Sequence, residues 1–412
     1  VRDAYPEPGP ASVPRHLVAL LMLVVPMSQI PLDLYTPALP QMAVDLHASP
    51  AAMQHTVAAY LFGMSLAFVP IGVIADARGR RPVLLTCLGI VVATSMLCAV
   101  ATSVPILLAA RAVEGAAASA CVVVPYAIAA DCFRDGRLTA ISGLLGVAWG
   151  LAPVLAPAVG GVLVQYVSWR LVFVSIAALA ALVAVIVLLK VPETLARQER
   201  SPIKPGLVAQ VLTDALRHRV FMSFVLVFGL MASAQLAFGV AGPFLYQENL
   251  GFSPAAYGLM ALIVGVANLC GELACGVLAV RLSARRLATG ALAVFGMGAA
   301  VLVGSGLLVG NHAWALTTGC CLALAGCGVL CPQMYGLAMG LFTRNLGLIG
   351  GLVSAGGYLV VTAAMAVVGA LHERTQTPLG LLYLVCGTLA FVLLVWAIAK
   401  YGRVKQAGPV AG

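Results

Sequence analysis

Charge is what this sequence has least of. Only 9% of its 412 residues are Asp, Glu, Lys or Arg, where a soluble globular domain carries about 25%. Hydrophobic residues make up 62%, and mean hydropathy is +1.05. Such a chain is excluded from the soluble class and reads as a polytopic membrane protein. Acids are scarcer than bases, 14 against 23. In a soluble protein that surplus would suggest a nucleic-acid partner, but no nucleic-acid module is present. The signatures of an enzyme are missing as well. No GxxxxGK followed by Ser or Thr occurs, so ATP is not expected to drive the protein. The six histidines (His16, His47, His55, His218, His312, His372) are scattered without metal-ligand spacing. Eleven cysteines form no CxxC pair; ten fall in apolar segments and Cys132 at the end of one. They read as small packing residues. No catalytic residue, metal or cofactor is expected.

What is present is a succession of long apolar runs. A spanning helix needs about 20 apolar residues. Breaks at charges, Pro/Gly clusters and polar pairs predict spans at 17–44, 51–77, 82–101, 104–131, 137–164, 169–190, 219–247, 254–280, 285–308, 312–343, 345–370 and 377–400. Residues 1–16 read as a flexible polar, proline-rich tail, and 401–412 as a second tail. The first apolar run is too long for a signal-peptide core and lacks a small-residue cleavage site, so it is expected to stay. The polar interval 191–218 divides the rest into six helices (17–190) and six helices (219–400). Twenty of the 23 basic residues fall on one side if both ends lie there. Arg170 and Arg374 fall on the other side, and Arg111 alone lies within the membrane. The asymmetry predicts cytoplasmic termini, with 191–218 a cytoplasmic linker.

The halves repeat weakly. Gly72-Val73-Ile74-Ala75-Asp76-Ala77-Arg78-Gly79-Arg80-Arg81 joins helices 2 and 3, and Gly276 to Arg286 joins helices 8 and 9 with similar text. A duplicated unit with its cavity at the interface is the plan of many secondary transporters.

Intramembrane acids are expensive and functional by default. Asp33 sits among Pro31, Pro37 and Pro40, each of which removes a backbone donor and loosens the helix. It reads either as a protonatable group in a water-lined cavity, or as an acid that is paired or caps a distorted helix end. Helix rise puts Asp33 about 15 Å and Arg111 about 12 Å from the outer surface. Glu114 follows Arg111 at i+3, on the same face. Glu272, near the inner end of helix 8, reads as a partner for Arg281, Arg285 or Arg286.

These residues resemble the major facilitator superfamily, and within it the bicyclomycin/chloramphenicol-resistance (Bcr/CflA-like) drug:proton antiporters. The resemblance covers nearly the whole chain. Leu32-Asp33-Leu34-Tyr35-Thr36-Pro37-Ala38-Leu39-Pro40 looks like that branch's first-helix signature. Gly72 to Arg81 looks like the superfamily's cytoplasmic loop motif, departing at Ala77, where a basic residue is usual. Arg111 with Gly115 is similar to the fourth-helix arginine motif. Ala156-Pro157-Ala158-Val159-Gly160-Gly161 resembles the fifth-helix antiporter motif, with Ala156 in place of glycine. Trp169-Arg170-Leu171-Val172-Phe173 and Pro192-Glu193-Thr194-Leu195 look like the text around helix 6.

The resemblance implies a twelve-helix, all-α membrane fold of two pseudo-twofold-related halves, with helices 1 and 4 lining a central cavity. Asp33, Arg111 and Glu114 would then share one wet pocket. Asp33 would carry the proton, Arg111 would stabilise its charged form, and Glu114 would be a second acid. The alternative is a structural Arg111–Glu114 ion pair. Val25 is apolar where some relatives carry a further acid. The loop residues Gly72, Asp76, Arg78, Gly79, Arg80 and Arg81 would latch the halves, or else only set orientation. Gly150, Pro153, Pro157, Gly160 and Gly161 of helix 5 would form a packing and hinge surface, answered by glycines of helix 11. The expected cavity walls are Tyr35, Tyr60, Tyr126 and Trp149, with Gln235, Phe238, Asn268, Gln333, Tyr335 and Tyr358 from the second half. Such a pocket, apolar with few polar anchors, suits amphipathic small molecules. The expected function is proton-coupled export of such compounds by a monomer in a bacterial inner membrane. A siderophore or metabolite exporter, a proton-coupled uptake symporter and a non-transport receptor are the alternatives.

Overall fold

The computed structural model describes residues 16–200, 205–342, 346–370 and 375–406. Most of the two expected tails, with Lys204, Arg344 and Arg374, lies outside those residues. Among the described residues, twelve helices are long and apolar enough to cross a membrane. They are α1 (Leu17–Asp45), α2 (Pro50–Arg78), α3 (Arg80–Ala99), α4 (Val104–Cys132), α5 (Gly136–Tyr166), α6 (Trp169–Lys190), α7 (Arg219–Asn249), α8 (Pro254–Leu278), α9 (Ala284–Leu308), α10 (Ala313–Met339), α11 (Gly347–Ala366) and α12 (Thr377–Lys400). The polar interval between α6 and α7 is not bare linker, since Pro205–Arg217 forms a helix of its own.

Local chemistry sets where these helices begin. Ser49 and Ser253 each precede a proline at the first helical position. Their hydroxyls accept from the backbone N–H of Ala52 and Ala256, both at 3.2 Å. A serine cap followed by proline leaves few orphan donors to satisfy. Ser283 also caps α9, without the proline, its hydroxyl accepting from the backbone N–H of Arg286 at 3.4 Å.

The contacts repeat between halves. In the first, α2 packs on α4, α3 on α4 and on α6, and α1 on α4, α5 and α6. In the second, α8 packs on α10, α9 on α10 and on α12, and α7 on α10, α11 and α12. Each pair maps onto its counterpart by adding six. The halves meet along two long seams, α2 with α11 and α5 with α8, which are themselves a symmetric pair. They also touch where α1 and α7 end, on the face opposite the chain's termini, where Gln247 Nε2 donates to the Pro37 carbonyl at 2.9 Å.

α1 is the least regular span. An α-helix over Leu17–Val24 passes into a 3-10 turn at Val25–Ser28, a short α-helical turn at Ile30–Asp33, a second 3-10 turn at Thr36–Ala38, and helix again at Leu39–Asp45. Pro26, Pro31, Pro37 and Pro40 punctuate it. Each deletes an N–H and crowds the preceding turn, so the i→i−4 ladder cannot run through.

In lipid, close packing rather than water exclusion holds helices together. On α5, Gly160 faces the Leu34 carbonyl of α1, and Gly161 faces the Pro254 carbonyl and Gly258 of α8. A Cβ at either would collide with backbone. These two motif glycines therefore act by permitting contact on both sides of α5. Gly160→Ala is expected to lower stability in detergent by about 1–3 kcal/mol through overpacking. Gly143→Ala, on the same helix with nothing within 4 Å of the new Cβ, is expected to leave it unchanged. Equal thermal unfolding of the two variants would contradict this packing role.

Candidate functional site

The first half is built around a buried cation. Arg111 and Glu114 are both 0% exposed, and Arg111 Nη1 donates to Glu114 Oε2 at 2.6 Å. The other carboxylate oxygen accepts from Ser95 Oγ of α3 at 2.5 Å. The guanidinium carbon lies 4.4 Å from the ring centroids of both Tyr35 and Tyr60, and 5.9 Å from that of Phe173. A desolvated cation over an aromatic face gains about 2 kcal/mol. The cage therefore offsets part of the cost of burying Arg111, and Glu114 supplies the countercharge.

This corrects the expected pocket. Glu114 does not share an open site with Asp33; it lies sealed behind Arg111 against α3. The tyrosines are also reassigned. Tyr35 Oη is 2.9 Å from Thr56 Oγ1, and Tyr60 Oη donates to the Ser28 carbonyl at 2.7 Å. Both are fully buried cage walls rather than cavity walls. Tyr60 also pins the 3-10 turn of α1, satisfying a carbonyl that the broken helix leaves free.

Asp33 is left differently placed. It is 7% exposed and within electrostatic reach of Arg111. Its Oδ2 is buried with no hydrogen-bond partner among the described residues. Gln29 lies one turn before it, and the Thr36 hydroxyl donates to its backbone carbonyl at 2.9 Å. Two groups from the second half lie within electrostatic reach of it, Tyr257 of α8 and Tyr358 of α11. Tyr358 stacks on Phe68 of α2, with centroids 5.7 Å apart. The acid thus stands on the seam between halves.

The family model described as Major Facilitator Superfamily matches residues 21–342. The chain belongs to this superfamily. The uncharacterized MFS-type transporter YdgK of Bacillus subtilis (strain 168) is 28% identical over 380 residues, covering 91% of this chain and 94% of that protein. Multidrug resistance protein MdtL of Escherichia coli is 31% identical over 253 residues, 61% of this chain and 63% of MdtL. Among solved structures, the D-xylose-proton symporter has a TM-score of 0.74 at 16% identity, covering 92% of this chain and 96% of that one. The nucleoside transporter NupG (D323A mutant) has a TM-score of 0.72 at 13% identity, covering 93% and 99%. The chain is thus a multi-pass superfamily transporter, not an enzyme.

Within that fold the other expected site residues separate. Tyr126 of α4 is half-buried, and Tyr335 of α10 packs edge-on against Phe228 of α7, centroids 6.1 Å apart. Phe238 instead joins an aromatic cluster with Tyr246 and Tyr257, centroids 6.5 and 6.4 Å away. Gln333 Nε2 is tied to the Ala284 carbonyl at 2.8 Å, so it braces α10 against the start of α9. Gln235 and Trp149 are half-buried on α7 and α5. Asn268 Nδ2 donates to Glu272 Oε1 at 2.9 Å. Glu272 pairs with none of Arg281, Arg285 and Arg286 among the described residues. Its Oε2 lies 3.1 Å from where a Cβ on Gly150 would sit. The arginines follow the end of α8, whereas the i, i+4 register with Asn268 turns Glu272 toward α5. Gly150 leaves room for that carboxylate at the seam.

The loop motif ties together one half. Gly79 has φ +106°, a conformation that favours glycine. Arg80 pairs with Asp76 and, at 3.1 Å, with Asp131 at the end of α4. Arg81 donates to the Leu188 carbonyl of α6. Gly72 packs close to Val123 of α4, and Arg78 is exposed. Among the described residues, no hydrogen-bond or ion-pair partner of these six belongs to the second half, so in this conformation they fasten α2, α3, α4 and α6 rather than latch the halves.

Glu193 completes the cluster. Its carboxylate accepts from the backbone N–H groups of Arg80 (2.9 Å), Arg81 (3.2 Å) and Leu195 (3.1 Å). It thereby caps α3 from a distant segment, where orphan N–H groups favour an anion. Thr194 adds a bond to Asp131 at 3.0 Å. Glu193→Ala is expected to cost about 1–3 kcal/mol, the usual penalty for orphaned donors. Amide hydrogen exchange at Arg80 and Arg81 should rise; unchanged protection there would refute the cap.

The sequence reading missed Gln29, Phe68, Ser95 and Tyr257. Gln29 stands at i−4 from Asp33, a spacing that pointed to it. Nothing in the sequence pattern places Tyr257 beside Asp33.

Proposed function

We propose that this superfamily member is a proton-coupled exporter of small amphipathic compounds, of the Bcr/CflA-like kind, in a bacterial cytoplasmic membrane. The observation that carries the reading is the unpartnered Oδ2 of Asp33, buried on the seam between halves. A carboxylate there lacks the solvation its charge requires, so its protonation depends on which side admits water. Arg111 does not neutralise it, being committed to Glu114. Protonation changes the charge between α1 of one half and Tyr257 and Tyr358 of the other. Proton binding and the relative position of the halves are thereby coupled. A substrate entering the same seam competes with the proton for Asp33. The partial match to MdtL supports a drug-type substrate. The excess of lysine and arginine on the terminus-bearing face supports cytoplasmic termini.

The test is flux in proteoliposomes under an imposed pH gradient. With an acid lumen, inserted protein should accumulate a substrate such as chloramphenicol while the gradient decays faster than in empty vesicles. Accumulation only with acid outside would instead identify a symporter. Accumulation without any gradient would end the proton-coupled reading.

A further inference from the structure

Beside the α3 cap, outside the site around Asp33, lies a cavity of about 460 Å³. It opens at the terminus-bearing end of α3 and α6, under the first part of the interval that follows α6. Arg81, Arg197 and Arg200 line it, with Glu193 the one acid among the described residues. Glu193 is spent on three backbone N–H groups. Among the described residues the arginines are not. Arg81 makes a single side-chain bond, to the Leu188 carbonyl. The Nε atoms of Arg81 and Arg200 are buried without hydrogen-bond partners among the described residues. Buried guanidinium donors without acceptors are costly, and three converging arginines match the oxygens of a phosphate ester.

The remaining wall decides which phosphate. Leu85 and Leu188 form an apolar floor. Leu188 and its neighbour Leu189 are 52% and 70% exposed, on the outer surface of a spanning helix. The cavity therefore joins a basic mouth to a surface that faces acyl chains. A soluble phosphate would use the mouth and ignore the floor. We propose that this cavity holds the phosphodiester headgroup of an anionic membrane lipid, with its chains along α6. Basic pockets between spans on such a face suit this ligand. The bound lipid would join the α3 end, α6 and the following segment, steadying the cluster built on Glu193 and Arg80.

The test measures thermal unfolding of the full chain in mixed micelles containing phosphatidylglycerol or phosphatidylcholine. The wild type is expected to gain stability with phosphatidylglycerol only. Arg197→Gln/Arg200→Gln should lose that gain while unfolding normally in phosphatidylcholine. Arg285→Gln/Arg286→Gln, which removes two exposed charges elsewhere on the same face, should keep it. If the first double variant does not fold, Arg197→Gln alone, at an exposed position, is read in its place and should lose part of the gain. Retention of the full gain in the pocket variant, or equal loss in both double variants, overturns the site. A gain of the same size from inorganic phosphate alone overturns the lipid.

Discussion

Asp33→Asn is expected to abolish proton-coupled transport while leaving the protein folded and inserted. The substitution keeps the size of the side chain and removes the only property the mechanism needs, a proton that comes and goes. Asp33 carries no ion pair and its Oδ2 has no hydrogen-bond partner among the described residues. Its loss therefore strands no counter-ion, and stability should hold or rise slightly, since a costly buried carboxyl is gone. Function should fall to the level of vesicles without protein. Purified wild type should release protons when a transported drug binds, and the variant should release none. Asp33→Glu, which restores a carboxyl, should recover part of the release. Proton release by Asp33→Asn equal to wild type would move the coupling group elsewhere, with Glu272 at the opposite seam the next residue to test. That carboxylate also sits at an interface between halves, held by Asn268 and unpaired with any cation among the described residues.

How much of this was legible in the sequence depends on what each residue answers to. Spans answer to length and hydropathy, so the twelve helices fall within a few residues of their expected places. The expected depths of Asp33 and Arg111 came from helix rise alone; the structure places Asp33 within electrostatic reach of Arg111. Which face a side chain presents is another matter. In a soluble protein the polar side of a helix marks the surface. In this chain both lipid and neighbouring helices are apolar, and periodicity carries little information. Tyr35 and Tyr60 were expected in the cavity and are turned inward around Arg111. Glu272 was expected to meet arginines beyond its helix and turns across the seam to Gly150. The role of Glu193 was invisible for a different reason. It caps a helix whose start is more than a hundred residues away in sequence, and only the packing of α3 on α6 brings the two together.

Glu114→Ala is expected to cost about 3–5 kcal/mol, the usual result of breaking a buried ion pair on one side only. Arg111 would keep its charge at 0% exposure. Its Nε and Nη2 already lack hydrogen-bond partners among the described residues, and Nη1 would join them. Tyr35 and Tyr60 lower the cost of a cation between them but cannot accept its donors as a carboxylate does. Ser95 would lose its acceptor in the same step. The expected result is poor accumulation in membranes and a large drop in thermal stability. Glu114→Gln, which keeps shape and an acceptor oxygen, should fall in between. Arg111→Leu combined with Glu114→Leu should recover much of the stability, because removing both charges avoids the desolvation that makes either alone expensive. The double variant also separates two roles that the single ones confound. If Arg111 serves Asp33 as well as Glu114, the double variant is folded but impaired in transport. A folded double variant with normal proton-coupled flux would make the Arg111–Glu114 pair purely structural and leave Asp33 to work alone.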